Sequence, residues 1–360
     1  MADDLDPTIP VPDPWRRGRG VAANPANRFQ DLTSTWDPDF DPAQDPDPRT
    51  VFLDDDTRTI LSKNDSEDVP FAVGVNPYRG CEHGCSYCYA RTYHEHLGMS
   101  AGLDFETRIM VKRRAPQLLR EVLSAPSWTP QAIGMSGATD CYQPVERRLQ
   151  LTRGCLSVLA ELGNPVHLIT KNALVARDAD LLARLAADGC VTVMLSLTTL
   201  RPELSRTMEP RASDPSARLE TVRRLAAAGI PVGVMLAPLI PGLTDEEIPA
   251  LLAAAAAAGA QHAAYQVLRL PLGVADLFAS WVRHHHAGRA EVVLGRVVSL
   301  HGGTSCDSAP GRRNPGDGPW AQQIGQLFRL SARRNGLDRP VPTLRTDAFR
   351  PPAGKQQTIW

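Results

Sequence analysis

Three cysteines that stand close together carry the clearest chemical signal in the sequence. Cys81, Cys85 and Cys88 form a C-x3-C-x2-C triplet, and no second Cys/His pair with metal-site spacing occurs elsewhere. Thiolates are the ligands of iron–sulfur clusters, and three of them on a cube of four irons leave one iron open to a small molecule. The triplet therefore favours an iron–sulfur cluster. A structural zinc site that uses His83 or a distant fourth ligand is the alternative.

The elements that must position the triplet alternate along the middle of the chain. Short apolar runs are typical of buried strands, and amphipathic stretches of helical period separate them. The predicted strands span residues 71–75, 131–136, 165–170, 190–197, 231–238 and 261–268, and the predicted helices span residues 115–124, 146–162, 174–188, 216–228 and 245–258. This alternation predicts an α/β fold with a parallel sheet, as an open or partial (β/α)6 barrel. The triplet follows the first strand, so it falls at the carboxyl ends of the strands, where such folds place their active sites.

Three regions are predicted along the chain. Residues 1–48 contain repeated Asp-Pro pairs and few periodic apolar positions, which predicts a largely disordered segment. Residues 49–270 form the predicted barrel core. Residues 271–360 form a helical and extended C-terminal region, with predicted helices at 275–286 and 321–335.

Composition and charge narrow the function classes. Hydrophobic residues make up 42% of the chain and charged residues 22%, as in soluble globular proteins. No uncharged apolar run reaches the roughly 18 residues of a membrane span, and the acidic first residues do not resemble a secretory signal. We therefore expect a cytoplasmic protein with no membrane partner. Residues 1–70 carry 16 acidic and 7 basic residues whereas residues 301–360 carry 4 and 9, so a nucleic-acid partner would meet a basic C-terminal end.

The triplet and its surroundings resemble the radical S-adenosylmethionine (SAM) superfamily. The resemblance lies in C-x3-C-x2-C with an aromatic residue, Tyr87, before the last cysteine, placed after the first strand of a (β/α)6 pattern. It implies that Cys81, Cys85 and Cys88 ligate a [4Fe-4S] cluster whose fourth iron binds SAM. It also implies a one-electron reductant of the flavodoxin or ferredoxin type, and a 5′-deoxyadenosyl radical that abstracts hydrogen from a substrate.

Further motifs resemble one branch of that superfamily, the DNA repair photolyase-like group, which is related to spore photoproduct lyase. They lie at residues 76–85, 139–146, 169–172, 196–200, 209–211 and 237–242. This resemblance implies an intracellular lyase or modifying enzyme, with DNA photolesions as one candidate substrate. Radical modification of RNA or protein is an alternative, and a non-catalytic iron–sulfur or zinc protein is an alternative of a different class.

Polar residues that follow the predicted strands, together with Tyr87, are candidates for holding SAM under this resemblance. They are Tyr87, Ser136, Thr139, Asp140, Lys171, Ser196 and Arg211. Ordinary structural roles are the alternatives, such as a helix cap for Asp140 or a surface pair with Glu209 for Arg211. Cys141 is the candidate hydrogen-atom donor. The donor cysteine of the lyase, however, precedes this stretch, and Gly137 holds its place here.

Overall fold

A seven-stranded sheet lies at the centre of the protein in the computed structural model, which describes residues 18–30, 49–64, 68–307 and 309–351. The strands in chain order are β1 (Val51–Asp54), β2 (Leu61–Lys63), β3 (Val73–Val75), β4 (Tyr78–Arg79), β5 (Arg108–Val111), β6 (Ile133–Met135), β7 (Val166–Thr170), β8 (Val191–Ser196), β9 (Val232–Leu239) and β10 (Ala263–Val267). The sheet has the order β10-β9-β8-β7-β6-β3-β2, and all its pairs are parallel except β2 with β3. Its two edges do not meet, so the barrel is partial.

The helices of the described residues lie between the strands, except the last three, which follow β10. In chain order they are α1 (Leu103–Thr107), α2 (Ala115–Leu123), α3 (Glu146–Leu149), α4 (Leu151–Leu162), α5 (Ala179–Ala187), α6 (Pro202–Met208), α7 (Pro215–Ala227), α8 (Ile248–Ala257), α9 (Val274–His285), α10 (Ala290–Leu300) and α11 (Gly318–Arg334). Short 3-10 helices span Tyr89–Leu97, Ala173–Asp178, Asp245–Glu247 and Ala287–Arg289. The predicted α/β partial (β/α)6 barrel is therefore confirmed, with each predicted strand in the sheet.

Hydrophobic burial explains why the central strands are continuous apolar runs. In a partial (β/α) barrel the helices cover the outer face of the sheet and side chains on the inner face pack inside the barrel, so side chains pointing either way are buried. Every residue of β8 is buried, and so are Val166 and Leu168 of β7. Gly189, Gly229 and Gly259 follow α5, α7 and α8 with φ of 69°, 73° and 95°, the left-handed conformation that ends a helix at little cost when the residue is glycine.

The predicted helix at 146–162 is interrupted at one residue. Gln150 has φ of 53°, and it separates the single turn of α3 from α4. A left-handed residue cannot continue a right-handed helix, so the chain changes direction there. The break leaves Glu146 of α3 fully buried, where it accepts a hydrogen bond from the Tyr78 hydroxyl.

A second, three-stranded sheet was not predicted. Its order is β1-β5-β4, with β1 parallel and β4 antiparallel to β5. These strands are two to four residues long, too short to give a clear periodic pattern. The sheet matters for function because β4 leads directly into the cysteine triplet.

Both ends of the described chain pack on the barrel. Residues 18–30 lie within the segment predicted to be largely disordered, yet Val21 is fully buried and Leu103 donates its N–H to the Ala23 carbonyl. Residues 1–17 and 31–48 of that segment lie outside the described residues. At the other end, Arg345 and Arg350 donate backbone N–H groups to the carbonyls of Gly189 and Leu162, at 3.0 and 2.7 Å. No helix in the described ranges is long and apolar enough to cross a membrane.

Truncation of a central strand side chain tests this account of the core. Leu168 of β7 is fully buried, so Leu168→Ala should lower the free energy of unfolding by about 2–5 kcal/mol. Leu330 of α11 is 59% exposed, and the matched Leu330→Ala should change it by less than about 0.5 kcal/mol. Urea denaturation followed by circular dichroism measures both. Equal effects of the two substitutions would contradict the assignment of β7 to the core.

Candidate functional site

The three cysteines of the triplet line one cavity at the carboxyl ends of the strands. The cavity has a volume of about 200 Å³, and Cys81, Cys85 and Cys88 are free thiols on its wall. Residues from the ends of β6, β7, β8 and β9 complete the wall. Residues 80–88, which we call the cysteine loop, leave β4 and enter the 3-10 helix Tyr89–Leu97.

A buried ion pair fixes one side of the cysteine loop. Arg91 and Glu106 are both fully buried, and the guanidinium donates to the Glu106 carboxylate at 2.6 Å. The same guanidinium donates to the Cys85 carbonyl at 3.0 Å and to the carbonyls of Ala101 and Gly102 at 3.2 and 2.8 Å. A buried charge is tolerated only when it is paired and its donors are used. Arg91 therefore ties the middle of the cysteine loop to α1.

The N-terminal residues 18–30 cover the outside of the same loop. The Gly20 N–H donates to the other oxygen of Glu106 at 3.1 Å. A Cβ atom on Gly20 would lie 1.5 Å from the Gly84 carbonyl oxygen, so only glycine fits. Gly84 itself has φ of 66°, and a side chain there would meet the Glu106 carboxylate. The two backbones are thus in direct contact.

Side-chain hydrogen bonds from Gln143 hold the start of the cysteine loop. Gln143 accepts from the Glu82 N–H at 2.9 Å and donates to the Gly80 carbonyl at 3.1 Å. The Glu82 carboxylate accepts from the Val145 N–H at 2.6 Å. Both Gln143 and Glu82 are buried. The loop before Cys81 is therefore braced against the chain that follows β6.

Burial makes the three thiols difficult to ionise without a cation. Burial raises the pKa of the Cys81 thiol, and the nearby Asp140, Cys85 and Cys88 raise it further. Burial also raises the pKa of Cys85 and of Cys88, with Arg91 acting in the opposite direction on Cys88. A metal centre supplies positive charge that would offset this cost, because bound thiols are deprotonated. The donor set therefore fits an iron–sulfur group.

The spacing of these donors also bears on the zinc alternative. Within the described ranges, no group of three or more His, Cys, Asp or Glu side chains converges on a point that could hold one metal ion. Both ring nitrogens of His83, the suggested fourth ligand, have neighbours: Nδ1 lies 3.4 Å from Asp140 and Nε2 lies 3.1 Å from the Asn172 amide. Thiols that bind separate irons of a cube need not converge on one point.

Asp140 connects the ends of β6 and β7 below the cysteine loop. One oxygen accepts from the Thr170 hydroxyl at 2.7 Å and from the Tyr142 N–H at 2.9 Å, and the other accepts from the Lys171 N–H at 2.8 Å. Burial by itself would raise the pKa of Asp140, but His83 and these hydrogen bonds outweigh burial and lower the pKa to about 2. Asp140 is therefore a carboxylate that organises the cavity floor.

A second buried ion pair lies on the other side of the cysteine loop. Glu209 and Arg218 are both fully buried and bonded to each other, and the Arg218 guanidinium also donates to the Ser196 carbonyl at 3.0 Å. The Tyr87 hydroxyl donates to Glu209, which also accepts from Thr198 at 3.0 Å. Glu209 thus pairs with Arg218 rather than with Arg211.

Five other predicted residues line the cavity itself. They are Ser136, Thr139, Lys171, Ser196 and Tyr87, which lie there together with Asp140. Ser136 has φ of 78°, an uncommon conformation for serine, and its hydroxyl oxygen accepts the Cys141 N–H at 2.9 Å. The Lys171 ammonium lies 5.9 Å from the centre of the Tyr87 ring. The Thr139 hydroxyl is used in a hydrogen bond to the Tyr78 carbonyl at 3.0 Å.

Two predicted residues lie outside the cavity lining. Cys141 is fully buried in the main hydrophobic core, and burial raises the pKa of its thiol. Arg211 is partly exposed, its guanidinium lies 3.6 Å from Glu82, and its backbone N–H donates to the His83 carbonyl. The roles predicted for both residues stay predictions.

The cavity also contains residues that the sequence analysis missed. The Arg269 guanidinium, just after β10, lies 4.4 Å above the Tyr89 ring. The Tyr89 hydroxyl donates to the Gly137 carbonyl at 2.7 Å, and burial raises the pKa of Tyr89 to about 12. Phe71 and Gln266 complete this side. Arg269 could have been predicted from its position directly after the last predicted strand, at residues 261–268.

Replacement of Asp140 by asparagine tests its charge through pH. A carboxylate whose pKa falls from 3.8 to about 2 on folding stabilises the protein above pH 4, and this contribution is lost as the pH falls toward 2. Asp140→Asn should therefore destabilise the cluster-free protein more at pH 5 than at pH 3, by about 1 kcal/mol. Urea denaturation at both pH values measures this, with the exposed Asp276→Asn as control. A difference independent of pH would contradict the assignment.

The part of the chain that forms the barrel and the cysteine loop matches a known protein family. A family model for the radical SAM superfamily matches residues 75–255. An uncharacterized protein of Mycobacterium tuberculosis is 39% identical over 220 residues, which cover 61% of this chain and 65% of that protein. The radical SAM Nalpha-GlyT isomerase of Pseudomonas phage M6 is 27% identical over 194 residues, which cover 53% of this chain and 38% of the isomerase.

A solved structure shares the fold. Spore photoproduct lyase complexed with dinucleoside spore photoproduct aligns with a TM-score of 0.51 and 16% identity over 79% of each chain. The chain spans 65% of the length of its mycobacterial relative, whereas the family model covers just over half of this chain and includes the whole cysteine loop. The chain belongs to the radical SAM superfamily.

Proposed function

We propose that the protein is an enzyme that uses a [4Fe-4S] cluster to cleave SAM and to start a radical reaction on a substrate. The observation that carries this proposal is the set of three free thiols on one cavity wall, opposite polar groups from neighbouring strand ends. Membership of the radical SAM superfamily supports the same chemistry. The [4Fe-4S] type, the ligand roles and the substrate belong to the proposal.

The chemistry needs an external electron. A cluster held by these residues would supply the reductive cleavage of SAM: with one electron from a reductant of the flavodoxin or ferredoxin type, the C5′–S bond would break to give methionine and a 5′-deoxyadenosyl radical that takes hydrogen from the substrate. Cys81, Cys85 and Cys88 would hold three irons. The buried wall around them keeps water from the reactive centre.

Residues at the strand ends would bind SAM. The Lys171 ammonium would pair with the carboxylate of SAM, and the hydroxyls of Ser136 and Ser196 would donate to its polar oxygens. Tyr87 would form part of the wall beside the adenine, held by its bond to Glu209. Asp140 would act by position, because its oxygens already accept from Thr170, Tyr142 and Lys171.

The substrate would enter at Gly137. A Cβ atom added there would meet only the Phe71 ring, at 4.0 Å, so the cavity has room beside the Gly137 backbone. DNA photolesion repair is the first candidate reaction, supported by the shared fold with spore photoproduct lyase. Radical modification of RNA or protein is the second candidate. It is favoured by Gly137 itself, which supplies no thiol at that point of the wall.

Removal of one cysteine tests the cluster. Cys85→Ala, after anaerobic reconstitution with iron and sulfide, should lose the visible absorbance of the cluster and the formation of 5′-deoxyadenosine, because three thiolates are needed. The matched Cys155→Ala removes a buried thiol of α4 outside the cavity, and it should keep full iron content. Iron analysis and chromatography of the nucleoside measure both. Reconstituted wild-type protein that never cleaves SAM would overturn the proposal.

Irradiated DNA separates the two candidate reactions. Repair should be measured as loss of thymine photoproducts on incubation with the reconstituted protein, SAM and a reductant. Gly137→Cys should raise the yield of repaired thymine because it adds a hydrogen-donating thiol where space exists, and Gly137→Ser is the matched control. Cleavage of SAM without any repair would reject photolesion repair and favour modification of another substrate.

A further inference from the structure

A surface groove continues outward from the cavity past Gly137. A neighbouring depression of about 410 Å³ shares Tyr89, Gly137 and Arg269 with the cavity. A further depression of about 340 Å³ shares Asn76 and Tyr93 with the first one. We call these two depressions together the basic groove. It runs along β2, the edge strand of the large sheet.

Positive charge dominates the lining of the basic groove. The charged side chains of the groove are Lys63, Arg79, Lys112, Arg269, Arg313 and Asp68. Five of these six are cationic, whereas the whole chain carries a net charge of −1. Such a local concentration of one charge is the electrostatic footprint of an anionic partner.

Some of these cations are held by carboxylates and others are not. Arg79 lies 2.8 Å from Asp55, and Arg313 pairs with Asp68. None of the ion pairs in the described ranges includes Lys63 or Lys112. Burial and then the repulsion of Arg79 lower the pKa of Lys112, while the nearby carboxylate of Asp55 acts in the opposite direction without pairing with it. A bound anion would offset both effects.

The use of lysine is itself unusual in this chain. Its positive charge comes almost entirely from arginine, and the lysines are Lys63, Lys112, Lys171 and Lys355. Lys171 lines the cavity, and Lys63 and Lys112 line the basic groove. Every lysine in the described ranges therefore lies on one continuous surface. A lysine ammonium is a compact charge that suits a phosphate oxygen.

An exposed aromatic ring stands where the two depressions meet. Tyr93 is 52% exposed and packs edge-on against Tyr89, with ring centres 6.4 Å apart. Amide side chains of Asn76 and Gln266 line the groove beside it. Aromatic rings stack on nucleobases, and amides hydrogen-bond to base edges. The Asn76 oxygen already accepts the N–H groups of Ala138 and Thr139, so Asn76 offers its NH2 group as a donor.

We propose that the basic groove binds a single-stranded segment of nucleic acid and delivers one of its bases to the cavity at Gly137. Lys63 and Lys112 contact phosphates, Arg269 adds positive charge beside the cavity, and Tyr93 stacks on a base next to the reacting one. This inference rests on the proposed function and names its substrate class. An acidic peptide would use the cations of the groove but not the exposed ring.

Fluorescence anisotropy tests the groove with a labelled 12-mer, as DNA and as RNA of the same sequence, on anaerobically reconstituted full-length protein. The double variant Lys63→Gln/Lys112→Gln should weaken binding about tenfold and reduce the slope of log affinity against log salt by about 1.4. Arg223→Gln, on the exposed face of α7, is the control for loss of a positive charge. The 12-mer that binds more tightly shows whether the groove prefers deoxyribose or ribose.

Tyr93 separates nucleic acid from an acidic peptide. Tyr93→Ala should weaken the 12-mer about 5- to 100-fold, and Tyr93→Phe should bind as the wild type does because the ring remains. Poly-glutamate should bind weakly, and it should bind the wild type and Tyr93→Ala with equal affinity. Poly-glutamate that binds as tightly as the 12-mer, or a 12-mer indifferent to the lysines and to Tyr93, would overturn the inference. Binding by a protein that fails to cleave SAM would instead reject the proposed function and leave the groove intact.

Discussion

Two buried arginine–glutamate pairs hold the cysteine loop between them, and the rest of the site depends on that clamp. Arg91 and Glu106 fix the loop to α1, while Arg218 and Glu209 fix Tyr87 to the end of β8. A buried ion pair contributes little net stability compared with apolar packing. Loss of one partner, however, leaves the other charge buried and unpaired, which is strongly destabilising. The loop is therefore positioned by interactions that work only as a set.

The two ion pairs matter because three ionised thiols on one wall would repel one another. Burial, and after it the nearby Asp140, Cys85 and Cys88, raise the pKa of Cys81, so three ionised thiols on this wall would be costly without a cation. The ion pairs and hydrogen bonds around the cysteine loop hold all three cysteines on one cavity wall, and such an ordered backbone lowers the entropic cost of binding a metal centre. Residues 18–30 add to this rigidity through the contact of Gly20 with Gly84. Residues 18–30 thus contribute to the site together with the barrel.

Continuous apolar runs explain which strands could be predicted from the sequence. The long apolar runs of β7, β8 and β9 are fixed by burial on both faces, so their strands were identified within a few residues. The cavity residues Ser136, Asp140, Lys171 and Ser196 followed because parallel strands end at one edge. Arg218 could not be found, since its carboxylate partner lies nine residues away on another element and no pattern marks it.

The residues proposed to bind the substrate were harder to predict than the cysteines proposed to start the reaction. The strand β2 is three residues long and lies at the sheet edge, where its side chains carry no apolar alternation. Lys63 on β2 and Lys112 after β5 are distant in sequence and line one groove only because the two sheets adjoin. The cysteines of a radical-forming centre stand close together in the sequence. The residues that select a substrate lie on short, irregular segments that come together only in the folded protein. Such a surface can therefore be recognised only after folding has assembled it.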